Sequence, residues 1–343
     1  MLVYVRGVDI TLLDGSDAGL FRDWHTVQQV SQEHGRPYAN VWTHDQVLSE
    51  VRAPTSRRRF LPYAGVVDGA VVSAGVLSLP MADNLTASNV TVDTRPELRG
   101  RGYGGAMLAH LEAVAASEGR TLADTEIPYP YDAPADGAGH PDVEFATRRG
   151  YAFGLGDVHR MLELPAPDGL LERLADDAAP HHTTYRVVAF AGPVPDEHLA
   201  SYAVINASLM TEAPAGEIER EAESTDPALV REAEALQEAQ GRTPYVALAL
   251  DPQGEVAAYT KLLSSRQEPG KGYQWGTVVR RQDRGHRLGV AVKVANLRLL
   301  QAEEPDVERV FTYNAEVNVH MVAINDAVGF RPVERLGEFR KRL

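Results

Sequence analysis

"RGRGYGGAMLAHL", Arg99 to Leu111, and "RGHRLGVAVKVANL", Arg284 to Leu297, decide how the chain is read. Each sets an arginine and small residues directly ahead of an apolar helical run. In the first, Gly100, Gly102, Gly104 and Gly105 surround Arg101 and Tyr103. Glycines allow positive φ and a close approach of ligand to backbone. The helix expected from about Tyr103 to Ser117 opens there, with unpaired N–H groups and the positive end of its dipole. Such a terminus suits a phosphate, and Arg99 can add charge-assisted contacts. A strand-to-helix turn of this kind also needs no ligand at all. Gly100-x-Gly102-x-x-Gly105, with Asp124 further on, fits the dinucleotide-binding fingerprint as well. Against that fingerprint, "RPELR" separates the glycines from their strand, and Arg287 and Val290 replace two of them in the second stretch.

Outward from these stretches the similarity continues. "PYAGVVDGAVVSAGVLSL" from Pro62 and "PYVALALDPQGEVAAYTKLL" from Pro244 both read as strand, Asp/Gly turn, strand. Pro62 precedes Arg99 by 37 positions and Pro244 precedes Arg284 by 40; Gly150-Tyr151 follows Arg99 by 51, and Gly329-Phe330 follows Arg284 by 45. Three landmarks in one order mean a duplication of about 160 residues. Each copy reads as a first strand ("DITLLD"; "YRVVAF"), helix ("AGLFRDWHTVQQVSQEHG"; "DEHLASYAVINASLM") and hairpin. A strand ("SNVTVDT"; "QWGTVV"), the arginine loop with its helix, a further strand ("TLADTEI"; "RVFTYN"), a helical segment and a closing strand follow. The fold class is therefore α/β (α+β by some schemes), two tandem domains each with a mixed sheet flanked by helices. We expect domains at 1–165 and 184–343. The linker, 166–183, falls in the Pro-, Asp- and Ala-rich "ELPAPDGLLERLADDAAPHHTT". The second copy has an extra acidic helical stretch, "DPALVREAEALQEAQG", expected as a lid or packing helix. Its "GVAVKVANLRLL" reads as amphipathic, with Lys293 and Arg298 on the polar side.

Composition narrows the function. The chain has 343 residues, 44% hydrophobic and 24% charged, with a formal net charge of −14. That charge argues against a general nucleic-acid binder, which needs basic patches, and suits a cationic partner such as an amine. With no cysteine, disulfides, thiolate metal sites and cysteine nucleophiles are excluded. No run is long enough for a membrane helix, no secretory leader is expected, and the expected compartment is the cytoplasm. His140, His181 and His182 form no spaced metal set, so no metal is expected.

A strand ending in "VDT", followed by "RPELRGRGYGGAMLAHL", resembles the acetyl-CoA motif of the GNAT N-acetyltransferase superfamily, Q/R-x-x-G-x-G/A after the fourth strand. Arg99, Gly102 and Gly104 meet it in full. Arg284 and Gly289 match in the second copy, and Arg287 departs from the middle glycine. "NVHMVAINDAVGF" is similar to the later signature of the superfamily: Asn318, Met321, Ile324, Gly329 and Phe330 fall in place, with Asn325 at its tyrosine. The first copy keeps Gly150-Tyr151, with Ala146 at the tyrosine. The resemblance covers both copies, as in the tandem GNAT proteins, whose domains have mostly antiparallel mixed sheets.

It implies acetyl-CoA as cosubstrate, held in an opening between the fourth and fifth strands, and a small-molecule or peptide amine as acceptor. Val92, Asp93 and Thr94 would line the acetyl arm in the first copy, and Val278 and Val279 in the second. Arg99, Gly100, Arg101, Gly102, Tyr103, Gly104 and Gly105 would cradle the pyrophosphate, as would Arg284, Gly285, His286, Arg287, Leu288 and Gly289. A deprotonated amine attacks the thioester, so a base is needed. Asp93 and Glu126 are the candidates, with Glu316 and His320 as counterparts in the second copy. We expect one working site and one degenerate copy, with the first copy holding the cofactor. The alternative is a non-catalytic module of degenerate GNAT domains that binds CoA or a protein.

Overall fold

A computed structural model describes residues 7–343 except 54, 213, 215, 217 and 219. The chain divides into two compact units. The first takes the residues up to Ile127 with Gly137–Gly154 and Gly337–Leu343; the second takes Pro128–Asp136 with Leu155–Leu336. In chain order the elements are β1 (Asp9–Leu12), α1 (Ala18–Glu33), α2 (His44–Arg52), β2 (Arg58–Val67), β3 (Ala70–Pro80), β4 (Ala87–Thr94), α3 (Tyr103–Ser117), β5 (Leu122–Pro130), α4 (Pro141–Thr147) and β6 (Ala152–Glu163). Then come α5 (Leu170–Ala178), β7 (Arg186–Ala191), α6 (Asp196–Ala207), α7 (Leu209–Glu212), α8 (Pro227–Ala239), β8 (Arg242–Leu250), β9 (Val256–Ser265), β10 (Lys271–Val279), α9 (Leu288–Glu303), β11 (Arg309–Ala315), α10 (Val319–Val328) and β12 (Arg331–Arg342).

In the first unit the strands run β1-β2-β3-β4-β5, and the last residues of β12 lie beyond β5. The second unit repeats the order as β7-β8-β9-β10-β11, with β6 antiparallel beyond β11. Within β1 to β5 and β7 to β11 neighbouring strands are antiparallel except β4 with β5 and β10 with β11, which are parallel. Pro62 lies in β2 opposite Val76 and Pro244 in β8 opposite Leu263, each in the second strand of its unit. The two units thus build one mixed, mostly antiparallel plan twice.

Local chemistry explains the elements. Asp68 and Gly69 both have positive φ, as a two-residue hairpin turn between β2 and β3 requires. The Asp17 carboxylate caps α1 by accepting from the amides of Gly19 and Leu20. Below that cap Phe21, Trp24 and Val27 face inward, packed on Ala64, Ala74 and Val76 of β2 and β3. On the other face α3 lies so close to the sheet that a Cβ on Gly75 would meet the Met107 sulfur at 2.5 Å. In the second unit Tyr202 of α6 meets Tyr259 of β9 edge-on, while Leu288 and Val292 of α9 cover Ala247, Ala249, Ala257 and Ala258.

Within 166–183 the short amphipathic run from Leu170 to Leu174 lies in α5, whose Leu171 enters the core with Leu297 and Leu300 of α9. Two expectations change. The acidic stretch forms α8, but it is no addition. It precedes β8 as α2 precedes β2, and it buries Val230 and Gln237. Lys293 is not on a polar face: it is 2% exposed, because α9 is covered on nearly all sides. Arg298 is exposed as expected.

Candidate functional site

The site begins where parallel strands stop pairing. β4 and β5 are in register only from Ala87↔Leu122 to Asn89↔Asp124, after which β4 stays with β3 as far as Thr94↔Ser73. β10 and β11 pair from Lys271↔Arg309 to Gln274↔Thr312 and then part. At that point β10 carries a bulge: its register with β9 shifts between Gln274 and Gly276. The Gln274 amide is tied there by donating to Thr260 Oγ1, the Lys261 carbonyl and the Gly276 carbonyl, at 2.8–3.1 Å. The pairing of β4 with β3 shows no such shift. Bulges re-aim backbone and side chains beside active sites.

Both parting strands lead into the same turn. A short 3-10 segment (Pro96–Leu98; Arg281–Asp283) precedes a loop with two left-handed residues, Gly100 and Gly102 in the first unit, Gly285 and Arg287 in the second. Arg287 holds φ +53° where Gly102 holds +93°, so the backbone path survives loss of the glycine. Neither α3 nor α9 has a side-chain cap. The amides of Tyr103, Gly104 and Gly105, and of Leu288, Gly289 and Val290, therefore face their loops as anion donors.

The arginines take places that spacing could not foretell. Arg99 donates to the Ser31 hydroxyl and carbonyl of α1, at 3.2 and 3.3 Å. Arg284 donates to the Glu212 carboxylate at 2.6 Å. Arg287 donates to the Asp177 carbonyl at the end of α5, 3.2 Å away. His286 Nδ1 lies 3.0 Å from the His181 carbonyl, and Arg101 is exposed. Sequence reasoning missed Arg149. Its guanidinium lies 3.7 Å over the Phe145 ring and so near Gly105 that a Cβ there would meet it at 2.8 Å. Its Nη1 also donates to the Phe145 carbonyl at 3.0 Å, which holds the cation beside the N-terminal turn of α3. The only signal in the sequence was "RRG" just before Tyr151.

Strand alternation sorts the expected lining residues. Val92 and Thr94 face Gly104 at the start of α3, and Val279 faces Gly289 at the start of α9. Val278 points the other way, into the core with Tyr202 and Tyr259. Asp93 also points away from α3, toward α1, where Gln32 donates to its carboxylate at 2.9 Å. It is 6% exposed. Burial pushes its pKa up to about 6 against the opposing pull of Gln32, Ser31 and Arg99. Glu126 is exposed on β5, past the last residue paired with β4. Glu316 is bound to Arg335 at 2.6 Å, and His320 is exposed on the first turn of α10. Asp124, the acid of the dinucleotide reading, is held by two hydrogen bonds from Arg340, at 2.7 and 2.8 Å, which leaves that reading without its ribose ligand. Among the described residues no three His, Asp or Glu side chains gather to hold a metal, and no helix is long and apolar enough to cross a membrane.

A tandem GNAT protein from the clavulanic acid biosynthesis pathway, solved without AcCoA, superposes with a TM-score of 0.77 at 25% identity, over 98% of each chain. The chain has the tandem GNAT fold. A GCN5-related N-acetyltransferase from Sphaerobacter thermophilus shares that fold at 13% identity and a TM-score of 0.63, over 98% of this chain and 95% of that one. So does an N-myristoyltransferase from Saccharomyces cerevisiae with bound myristoyl-CoA, at 9% identity and 0.61, over 98% and 83%. No family model matches the sequence, and comparison with curated proteins finds no match. In GNAT terms β4–β5 and β10–β11 are the two splayed pairs, and Ala146 and Asn325, both buried, stand at the two tyrosine positions.

Proposed function

We propose that the protein is an acetyl-CoA-dependent N-acetyltransferase acting in the cytoplasm on a small-molecule or peptide amine. One observation carries this reading: in each unit parallel strands part directly before a left-handed turn and an uncapped helix. The parting gives room for a pantetheine arm, and the turn offers amides to a pyrophosphate. In the first unit the residues fit this cosubstrate. Gly102 to Gly105 bring backbone close, Val92 and Thr94 flank the arm, and Arg149 supplies the charge. Backbone amides at the end of β4 stabilise the oxyanion. Asp93, on the opposite face, takes the proton of the incoming ammonium through water, with Glu126 at the mouth to attract it. A carboxyl raised to about 6 suits that work near neutral pH.

The test is release of free CoA thiol from acetyl-CoA with a panel of amines, for the native protein and for Asp93→Asn. Amine-dependent release that the variant loses supports the reading. CoA binding without release for any amine makes the protein a non-catalytic module instead.

A further inference from the structure

The duplication provides an internal control. Lys293 and Leu108 each stand nine residues past their loop arginine, Asn325 and Ala146 each four before their glycine. Asn314 and Ile127 each stand five past the first parallel pair of their strand. In the first unit all three sites are apolar and buried: Leu108, Ala146 and Ile127. In the second they are polar and buried as well, with exposures of 2% for Lys293, 0% for Asn325 and 8% for Asn314. They form one chain. Lys293 Nζ donates to Asn325 Oδ1 at 2.7 Å, and Asn325 Nδ2 donates to Asn314 Oδ1 at 2.9 Å. Asn314 lies just beyond the last pair of β10 with β11, so the chain borders the opening beside the bulge.

Packing does not explain this. The same fold closes the same three positions with Leu, Ala and Ile, whereas taking an ammonium out of water is costly even after relaxation. An ammonium has three donors. Among the described residues only Asn325 accepts one, and the Phe330 ring lies 5.5 Å from Nζ. Of the charged groups on the surrounding elements, Asp326 of α10 is engaged with Arg160, Glu172 of α5 with Arg298, and Arg331 of β12 with Glu163. Burial lowers the pKa of Lys293 to about 7. The choice of lysine also stands out, because the chain has only four, Lys261, Lys271, Lys293 and Lys341, and otherwise uses arginine. Arginine stays charged, whereas lysine can give up a proton near neutrality when buried.

We propose that Lys293, oriented by Asn325 and Asn314, is the proton donor to the thioester sulfur in a second acyl-CoA site, between β10 and β11. The proposal rests on the acetyltransferase reading and makes the second unit more than a scaffold. As the amine nitrogen bonds to the acyl carbon, the carbon–sulfur bond breaks and its electron pair leaves on sulfur. Lys293 gives that sulfur a proton, and the proton shed by the new amide restores the ammonium. Thioester and amine become thiol and amide, with nothing else consumed.

With four lysines, lysine labelled with ¹³C at Cε gives few resonances, and Lys293→Leu identifies the one that matters. That variant copies the first unit and is expected to fold. The Lys293 signal is titrated in the free protein, with CoA, and with desulfo-CoA. The expected result is a midpoint that rises by a pH unit or more with CoA and stays put with desulfo-CoA, since only a thiolate stabilises the ammonium. Equal midpoints with the two ligands, both bound, overturn the role of Lys293 and leave the acetyltransferase reading standing. Absence of CoA binding anywhere in the chain overturns both.

Discussion

Asp93 ties chemistry to stability most directly. A carboxylate that accepts the amine proton must be ionised, so kcat/KM should fall about tenfold per pH unit below about pH 6, the raised value. Asp93→Asn should remove that acid limb along with most of the rate. The stability effect has the opposite sign. The folded pKa lies above the ordinary 3.8, so the unfolded chain ionises first. The stabilising contribution is complete below about pH 4, is lost as pH rises to about 6, and stays lost above. A rise from 3.8 to about 6 corresponds to about 3 kcal/mol at most. At pH 8 Asp93→Asn should therefore resist urea better than the native protein by up to that amount, with little difference at pH 4. A variant that is less stable at pH 8 would show that the ionised carboxylate is held by partners strong enough to outweigh its burial.

At the scale of elements, what the sequence made legible was local. Alternation and turn residues located the hairpins, and glycines ahead of an apolar run located α3. The parting of β4 from β5, and the bulge at Gln274 to Gly276, arise from pairing between distant segments and leave no periodic trace. Lys293 misled for a related reason. On a helix buried nearly all round, one lysine looks like a polar stripe. α2 could have been found, because Thr43 and Gln46 form a complete capping box. The Thr43 hydroxyl accepts from the Gln46 amide, and the Gln46 side chain accepts from the Thr43 amide. α2 buries Val47 and Glu50, and Glu50 accepts from Arg58 of β2 at 2.8 Å. Thr43→Ala should cost about 1 kcal/mol in thermal unfolding, with Val47 still buried. A loss within 0.3 kcal/mol of zero would mean that tertiary packing alone holds the helix.

At the scale of the whole molecule, duplication has kept the backbone of the anion loop and altered what surrounds it. The loop is carried by φ at four positions, Gly100, Gly102, Gly285 and Arg287. Arg287 sustains the fourth at a cost of roughly 1–2 kcal/mol for a side chain in the left-handed region. Its bond to the Asp177 carbonyl offsets part of that cost. Arg287→Gly should then change stability by less than about 1 kcal/mol, since strain relief is opposed by the entropy of glycine. It should leave CoA binding in the second unit intact. Gly102→Asp differs in kind, placing a branched, negative side chain at φ +93° where a pyrophosphate is expected. Calorimetry on the native protein should find two CoA per chain, and on Arg287→Gly still two. Gly102→Asp, once shown to be folded, should bind one, with affinity at the first site down at least about tenfold, or 1.4 kcal/mol. If Arg287→Gly instead removes a site, its side chain must leave Asp177 to grip a phosphate. The second loop would then depend on the arginine that replaced its glycine, and not on the backbone beneath it.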